Sequence, residues 1–512
     1  MKLNKLLQDA AILEMKDPDL TVEIDQITND SRKVTPGSVY IAIKGFHRDG
    51  HDFLPEVFAK GCRAAVVERI IPDCEIPQYR VANSRIAWSN LSAAYFDHPT
   101  RSMAVLGITS TNGKTTASFM LDEILRAAGL ITGLIGTVKI RFGDELVPAW
   151  MTTPESFELQ SYFAKMRDKG VQAAIMEVSS SALEQYRAHD VDFSVVSFNN
   201  FSREHIDQHG TYEKYWEAKS SIITKAKPST ITVINLDDPE IAKTRGMGEG
   251  PQITYSSDSK LGDIYLEDLK FSGNTTTYQL VVKRDIPLGE RTLPRQTLEI
   301  QLSIPGLHTV RNSLACAAMA LSYGIAGVHI QAGLKRFGGV ERRFEQIYDR
   351  EFKIFDDHFA NGDNINVTMD SLAKMDYGRL HIVYAIRGNR GLTINTENIR
   401  AMAKWLPQIR LGRFIGTETR GEVTGKDLVT PEEKQVFFRE LEAAGITPEY
   451  REELRDAIVC AIDTAKAGDI ILLAGSQGMD KGGRKALEYL AQIHPEDAAE
   501  ILKPLVGRIC GN

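Results

Sequence analysis

The sequence predicts an α/β protein of three domains, each a sheet of short apolar strands covered by helices. Three observations carry this. At 512 residues the chain is too long for one hydrophobic core. Short apolar runs alternate with helical stretches, the pattern of mostly parallel sheets. One strand-to-helix junction, Gly107-Ile108-Thr109-Ser110-Thr111-Asn112-Gly113-Lys114-Thr115-Thr116, has the form of a phosphate-binding loop.

The first region, residues 1–99, carries strand signals at Val39–Ile43 and Ala64–Val67 and a helix around Ile86 to Tyr95. That helix should stop near His98-Pro99, because the residue before a proline avoids helical geometry. The second region, 100–335, opens at the loop. Its apolar runs Ala173–Met176, Ser194–Phe198 and Thr232–Ile234 predict the parallel sheet. Residues about 255–303 are rich in Thr and alternate in polarity, which predicts antiparallel strands added to that sheet. A helix from Arg311 to about Tyr323 should end at Gly324. The third region, 336–512, has buried-strand signals at Phe352–Phe355, His381–Tyr384 and Asp469–Leu473.

Bulk composition excludes several classes. A net charge of −7 gives no general basis for nucleic-acid binding. Cys62, Cys74, Cys316, Cys460 and Cys510 show no metal-ligand spacing and are expected to be reduced thiols. The segment Met1–Asp9 lacks the apolar core of a signal peptide, and no apolar run approaches membrane-spanning length. A cytoplasmic protein is expected.

The loop is where chemistry begins. A tight turn into a helix N-terminus aims unpaired N–H groups and the helix dipole at an anion, and Lys114 adds a mobile cation. Thr115 is placed to offer its hydroxyl to magnesium. Gly-Lys-Thr alone also fits an ordinary turn. The strand, the helix (Phe119, Met120, Ile124 and Leu125 at helical spacing) and the full motif together point to nucleotide phosphate. Glu177, in Met176-Glu177-Val178-Ser179-Ser180, ends an apolar strand at the sheet edge where ligands bind, and could hold a divalent ion. Phe201–Thr211 adds two histidines, an arginine and three acids or amides, followed by Tyr215-Trp216-Glu217-Ala218-Lys219.

In order and spacing these motifs resemble the Mur ligase family, nearest to the members that add the third residue of the cell-wall peptide to a UDP-muramyl-dipeptide. The resemblance extends to Asn29-Asp30-Ser31-Arg32-Lys33-Val34, Thr152-Thr153-Pro154-Glu155-Ser156, Asn235-Leu236-Asp237-Asp238-Pro239 and Asn312-Ser313-Leu314-Ala315. It is strong over roughly 20–345 and weaker beyond. It implies a UDP-substrate-binding domain (1–99), a central ATP-binding domain (100–335) and a Rossmann-like third domain (336–512) that binds the amine and closes over ATP. It also implies a monomeric peptidoglycan-synthesis enzyme serving cell shape and division.

The implied reaction uses ATP to convert a substrate carboxylate into an acyl phosphate, which an amine attacks. Magnesium and fixed cations offset the repulsion between carboxylate and phosphate. By resemblance, Ser110, Thr111, Asn112, Gly113, Lys114, Thr115 and Thr116 cradle the phosphates. Thr115, Glu177 and His205 bind magnesium, joined by a carbamate formed from carbon dioxide on Lys219. Asn312 contacts adenine, while Arg343 and Asp356 close on ATP. Thr152, Thr153, Ser179, Gln185 and Arg187 hold the muramyl-peptide carboxylates. Asn29, Ser31 and the turn Phe46-His47-Arg48 contact the uridine nucleotide.

Departures from the family pattern cluster in the third region. Ser110 stands where the loop usually has glycine and needs an allowed backbone angle, or costs ~1 kcal/mol of strain. Ser181 replaces a histidine. The Asp-Asn-Pro-Arg signature of diaminopimelate-adding members aligns with Thr417-Glu418-Thr419-Arg420, and the terminal Gly-Lys-Gly-His-Glu with Gly475-Ser476-Gln477-Gly478-Met479. A site built for a zwitterionic diamino acid needs paired charges, so that amine is not carried over. Arg390, Arg420 and Asp480 are the expected amine contacts, with surface salt bridges as the plain alternative. Two other readings stay open: a related ligase acting on another carboxylate (a specialised metabolite, a cofactor or an archaeal wall precursor), and a silent nucleotide-binding homologue.

Overall fold

The computed structural model describes residues 1–45, 48–202, 209–272, 275–389 and 391–510. Among these residues the chain forms three large sheets in succession along the sequence, and the architecture is α/β with a mostly parallel central sheet.

The first sheet has five strands, ordered Ile12–Lys16, Gln78–Val81, Ala64–Val67, Ser38–Ile41, Gln26–Thr28, antiparallel only at the first pair. Its helix Ser84–Tyr95 starts where Asn83 accepts from the amides of Arg85 and Ile86.

The central sheet has eleven strands. Its middle, in the order Gln252–Ser256, Ile231–Asn235, Phe193–Phe198, Ala104–Thr109, Ala173–Glu177, Thr132–Ile135, is parallel throughout. Those strands are continuous apolar runs because helices cover both faces. The expected antiparallel addition is present as Ile264–Ser272, Thr275–Val282 and Gln296–Leu302, although Gln252–Ser256 and the start of Ile264–Ser272 pair parallel. The opposite edge carries an unanticipated hairpin, Lys139–Phe142 and Glu145–Pro148, too short and too charged to stand out as a strand signal.

The helix Lys114–Ala127 buries Ala117, Met120, Leu121, Ile124 and Leu125, a stripe recurring at three and four residues. A second helix, Leu307–Tyr323, packs against it and ends at Gly324, whose φ of +105° suits only glycine. It begins one turn before the expected Arg311, and that first turn already buries Val310.

The third sheet orders Glu345–Asp349, Lys353–Asp357, Ile470–Ala474, Leu380–Ala385, Leu411–Thr417, Glu449–Arg451, parallel except for its first pair. In all three sheets the strands deliver their C-terminal residues to loops, the usual ligand edge of such folds.

Candidate active site

Ser110 and Thr111 follow the strand Ala104–Thr109 and are buried. Gly113 takes φ +85°, and a Cβ there would lie 2.9 Å from Asn312 Oδ1, so the Asn312 side chain rests directly on the loop. Ser110 is not among the residues with positive φ, so the serine in place of glycine carries no strain. Lys114 Nζ donates to the carbonyls of Ser110 (2.6 Å) and Thr111 (3.1 Å). Lys219 comes to the same carbonyl from the helix Tyr212–Thr224. Its Nζ lies 2.7 Å from Ser110 O and 3.5 Å from Thr109 Oγ1, and the residue is 1% exposed.

Glu177 is completely buried. Its carboxylate accepts from Thr115 Oγ1 (2.9 Å), Thr137 Oγ1 (2.9 Å), Thr137 N (3.0 Å) and Ser118 Oγ (3.4 Å). Four neutral donors leave the negative charge uncompensated by any of them, the environment that suits a divalent cation. Thr115 and Glu177, expected to share a magnesium ion, are hydrogen-bonded to each other, and Lys219 reaches the same loop from its helix. His205, the other expected metal ligand, lies outside the described residues, as do His47 and Arg390.

A second cluster lies one hydrogen bond from Glu177. Thr153 Oγ1 donates to Glu177 O (2.8 Å) and accepts from Ser179 N (3.0 Å). Thr152 Oγ1 is 3.0 Å from Thr137 Oγ1. Arg187 donates to Thr153 O (3.2 Å) and Gln185 Oε1 (3.0 Å) and pairs with Glu155 at 2.8 Å. Burial pulls the Arg187 pKa below its ordinary value, and its Nε has no partner among the described residues. Arg85 reaches the same Gln185 Oε1 from the first sheet's helix. Such a set, with one buried guanidinium donor in reserve, can take a carboxylate. Asn29 and Ser31 follow Gln26–Thr28, the edge strand of the first sheet. Ser31 is buried and its carbonyl accepts from Lys60, while Arg32, bonded to Asp30, holds that carboxyl at about 2.

A cavity of about 920 Å³ separates the loop from the third sheet. It brings together Asn112, Gly113, Thr116, Asn312 and Arg343, and also His308, Arg311, Asp357 and His358, which sequence reasoning missed. Asp356 is not on this lining. It is fully buried behind it, paired with Arg342 (3.3 Å) and Arg508 (2.6 Å), and the adjacent Asp357 faces the cavity instead. Burial raises the Asp357 carboxyl to about 6, and burial with nearby Arg342, Arg343 and Arg387 pushes His358 down to about 3, leaving a neutral imidazole. Arg420 and Asp480 also lie off the lining. Arg420 bridges Glu418 (2.7 Å) and Glu452 (2.5 Å), and Asp480 pairs with Arg342.

The fold and this site define an α/β protein in which a strand–loop–helix turn of phosphate-loop form faces a cleft between two sheets. Residues 108–320 match the Mur ligase middle domain, 342–477 the Mur ligase glutamate ligase domain, and 23–95 the catalytic domain of the Mur ligase family. The chain is 32% identical to the UDP-N-acetylmuramoyl-L-alanyl-D-glutamate–2,6-diaminopimelate ligase of Bacillus licheniformis, over 98% of this chain and 99% of that one. It is 31% identical to the enzyme of the same name from Listeria monocytogenes, over 93% of each. The chain belongs to the Mur ligase family, whose members are ADP-forming acid–amino-acid ligases. A solved diaminopimelate ligase structure shares the fold at TM-score 0.69 and 22% identity, over 93% of each chain. Folylpolyglutamate synthase from Mycobacterium tuberculosis does so at 0.57 and 18%, over 79% of this chain and 94% of that one.

Proposed function

We propose that this protein joins an amino acid to the peptide carboxyl of a UDP-N-acetylmuramoyl-peptide, with ATP converting that carboxyl to an acyl phosphate, in peptidoglycan precursor synthesis. The observation that carries the reading is the hydrogen bond from Thr153 to the Glu177 carbonyl. It ties the cluster suited to a carboxylate to the strand whose end bears the acid beside the phosphate loop. Two reactants that repel must meet in line, and holding both on one rigid strand end supplies the proximity.

Lys114 would leave the Ser110 and Thr111 carbonyls for the phosphates, while the amides after Asn112 hold them in place. Thr115, Glu177 and His205 would hold magnesium, with the Lys219 side chain, as a carbamate, adding a second anionic ligand. The uncompensated Glu177 and the burial of Lys219 on the loop support that assignment. Magnesium, when bound, neutralises charge between carboxylate and γ-phosphate. Arg187, with Gln185, Ser179, Thr152 and Thr153, would orient the donor. Asn312 at Gly113 would face the base, and Arg343 would approach the phosphates from the third domain. The relatives' names specify 2,6-diaminopimelate. Here Glu418 and Glu452 already engage Arg420, so this arginine is not preset for a zwitterion.

The test is ADP release by purified protein given ATP, magnesium, UDP-muramyl-dipeptide and a panel of amines that includes diaminopimelate and lysine. Release that depends on both donor and amine is expected. No release with any amine on this donor would overturn the reading.

A further inference from the structure

The segment 503–510 folds back onto the connection between the central and third sheets. Arg508 is 5% exposed, and its guanidinium meets Asp356 at 2.6 Å and Glu345 at 2.7 Å, with Glu341 3.8 Å away. The amides of Ile509 and Cys510 donate to the Glu341 carboxylate at 2.9 and 2.6 Å. Glu341 lies between the helix Gly327–Arg336, which packs on the phosphate-loop helix, and Glu345–Asp349, the first strand of the third sheet. The same segment also reaches the central sheet. Lys139 Nζ of the edge hairpin donates to Gly507 O at 3.3 Å.

Arg343 stands in the middle of this connection and faces the cavity. Its two neighbours, Arg342 (φ +56°) and Phe344 (φ +51°), are both held in left-handed backbone that non-glycine residues avoid. Such geometry persists only where surrounding contacts dictate it. Arg342 is fixed from one side by Asp356, Asp480 and the carbonyls of Gly475 and Ser476. Phe344 N is fixed by Asp357 (2.7 Å). Arg508 closes the network from the other side, where it is the shared cation for Asp356, Glu345 and Glu341.

We propose that Arg508 is a positioning residue: it clamps the connection 341–345 in the shape that presents Arg343 to the cleft. Without it, Glu341 loses the guanidinium beside it and keeps Lys139 as a nearby charge, and among the described residues Asp356 keeps Arg342 alone as its ion-pair partner. A buried carboxylate left unpaired reorganises its surroundings to reach water or another cation. The weakest part of those surroundings is the left-handed turn at 342–344, so Arg343 swings out of register. The proposal rests on the cleft being the nucleotide site, and the test separates the two.

The experiment measures ADP affinity by calorimetry, donor KM, melting temperature and amide hydrogen exchange of 338–346 in the full-length wild type, R508Q and R508K. R508Q should bind ADP about tenfold more weakly, with donor KM within about twofold of wild type and faster exchange at 338–346. R508K, which keeps the charge and loses the two-pronged fork, should fall between. It carries the test alone if R508Q does not fold. Wild-type protein that binds no ADP would overturn the nucleotide cleft itself. Wild-type protein that binds ADP alongside variants that bind it equally well would overturn the clamp. So would a loss of ADP affinity matched by an equal rise in donor KM and a lowered melting temperature.

Discussion

Replacing Gly136 with alanine would place a methyl carbon 2.2 Å from Glu177 Oε1 and 3.0 Å from its Cδ. Ordinary contact begins near 3.4 Å, so the carboxylate must shift by about 1 Å. It cannot move freely, because Thr115, Thr137 and Ser118 hold it and no solvent surrounds it. Two or more of those bonds would lengthen, at about 1.5–3 kcal/mol for each charged bond lost. The backbone itself tolerates alanine, since Gly136 does not have positive φ. A shift of about 1 Å in a group aligning reactants costs on the order of a hundredfold in rate. Gly136→Ala should therefore fold, bind donor with near-normal KM, and release ADP roughly a hundredfold more slowly, with a raised magnesium requirement. The assay is ADP release titrated with magnesium, beside a thermal melt. A variant with wild-type turnover and magnesium dependence would refute the placement of Glu177 at the metal.

Lys219→Ala should lower turnover severely and regain part of it with small carboxylates that can occupy the carbamate position; full activity without them would remove Lys219 from the reaction. Arg420, off the cavity and engaged by Glu418 and Glu452, should tolerate Ala with KM for the amine and for ATP changed alike, and an amine KM raised far more than that for ATP would return Arg420 to the amine site. Burial is the main cause that raises the Glu345 carboxyl from 4.5 to about 7, beside Arg508, Asp356 and Glu341. Between those values the folded state keeps a proton that the unfolded chain has lost. Stability should therefore fall by about 3 kcal/mol as pH rises through that window, then level off. Chemical denaturation from pH 4.5 to 7.5 should show this slope, and E345Q should flatten it; an unchanged slope in the variant would assign the proton elsewhere.

The parts of the fold and site legible in the sequence are those whose signal is local. The loop, its strand and its helix are contiguous, so spacing alone places Thr115 and Lys114. Glu177 is legible because it interrupts an apolar strand at its end. The hairpin Lys139–Phe142 and Glu145–Pro148 was not legible, because its four-residue strands mix charged and apolar residues without a long enough alternation. Thr137, which gives Glu177 two of its bonds, follows a different strand and has no chemistry of its own to mark it.

The third domain shows why motif alignment fails sooner than fold prediction. Successive residues of a strand face opposite sides, so one position of misregister exchanges a cavity residue for a buried one. In Lys353–Asp357 the two adjacent acids make the register ambiguous: family resemblance selected Asp356, whereas Asp357 faces the cleft. Asp356 is not idle, since it joins Arg342 to Arg508. That second arginine lies 152 positions away in sequence, with no periodicity linking the pair. Only the folded chain brings them together. The substrate-facing surface of this domain is thus set partly by charges behind it, and a change in the 503–510 segment should reach Arg343 without touching the cleft.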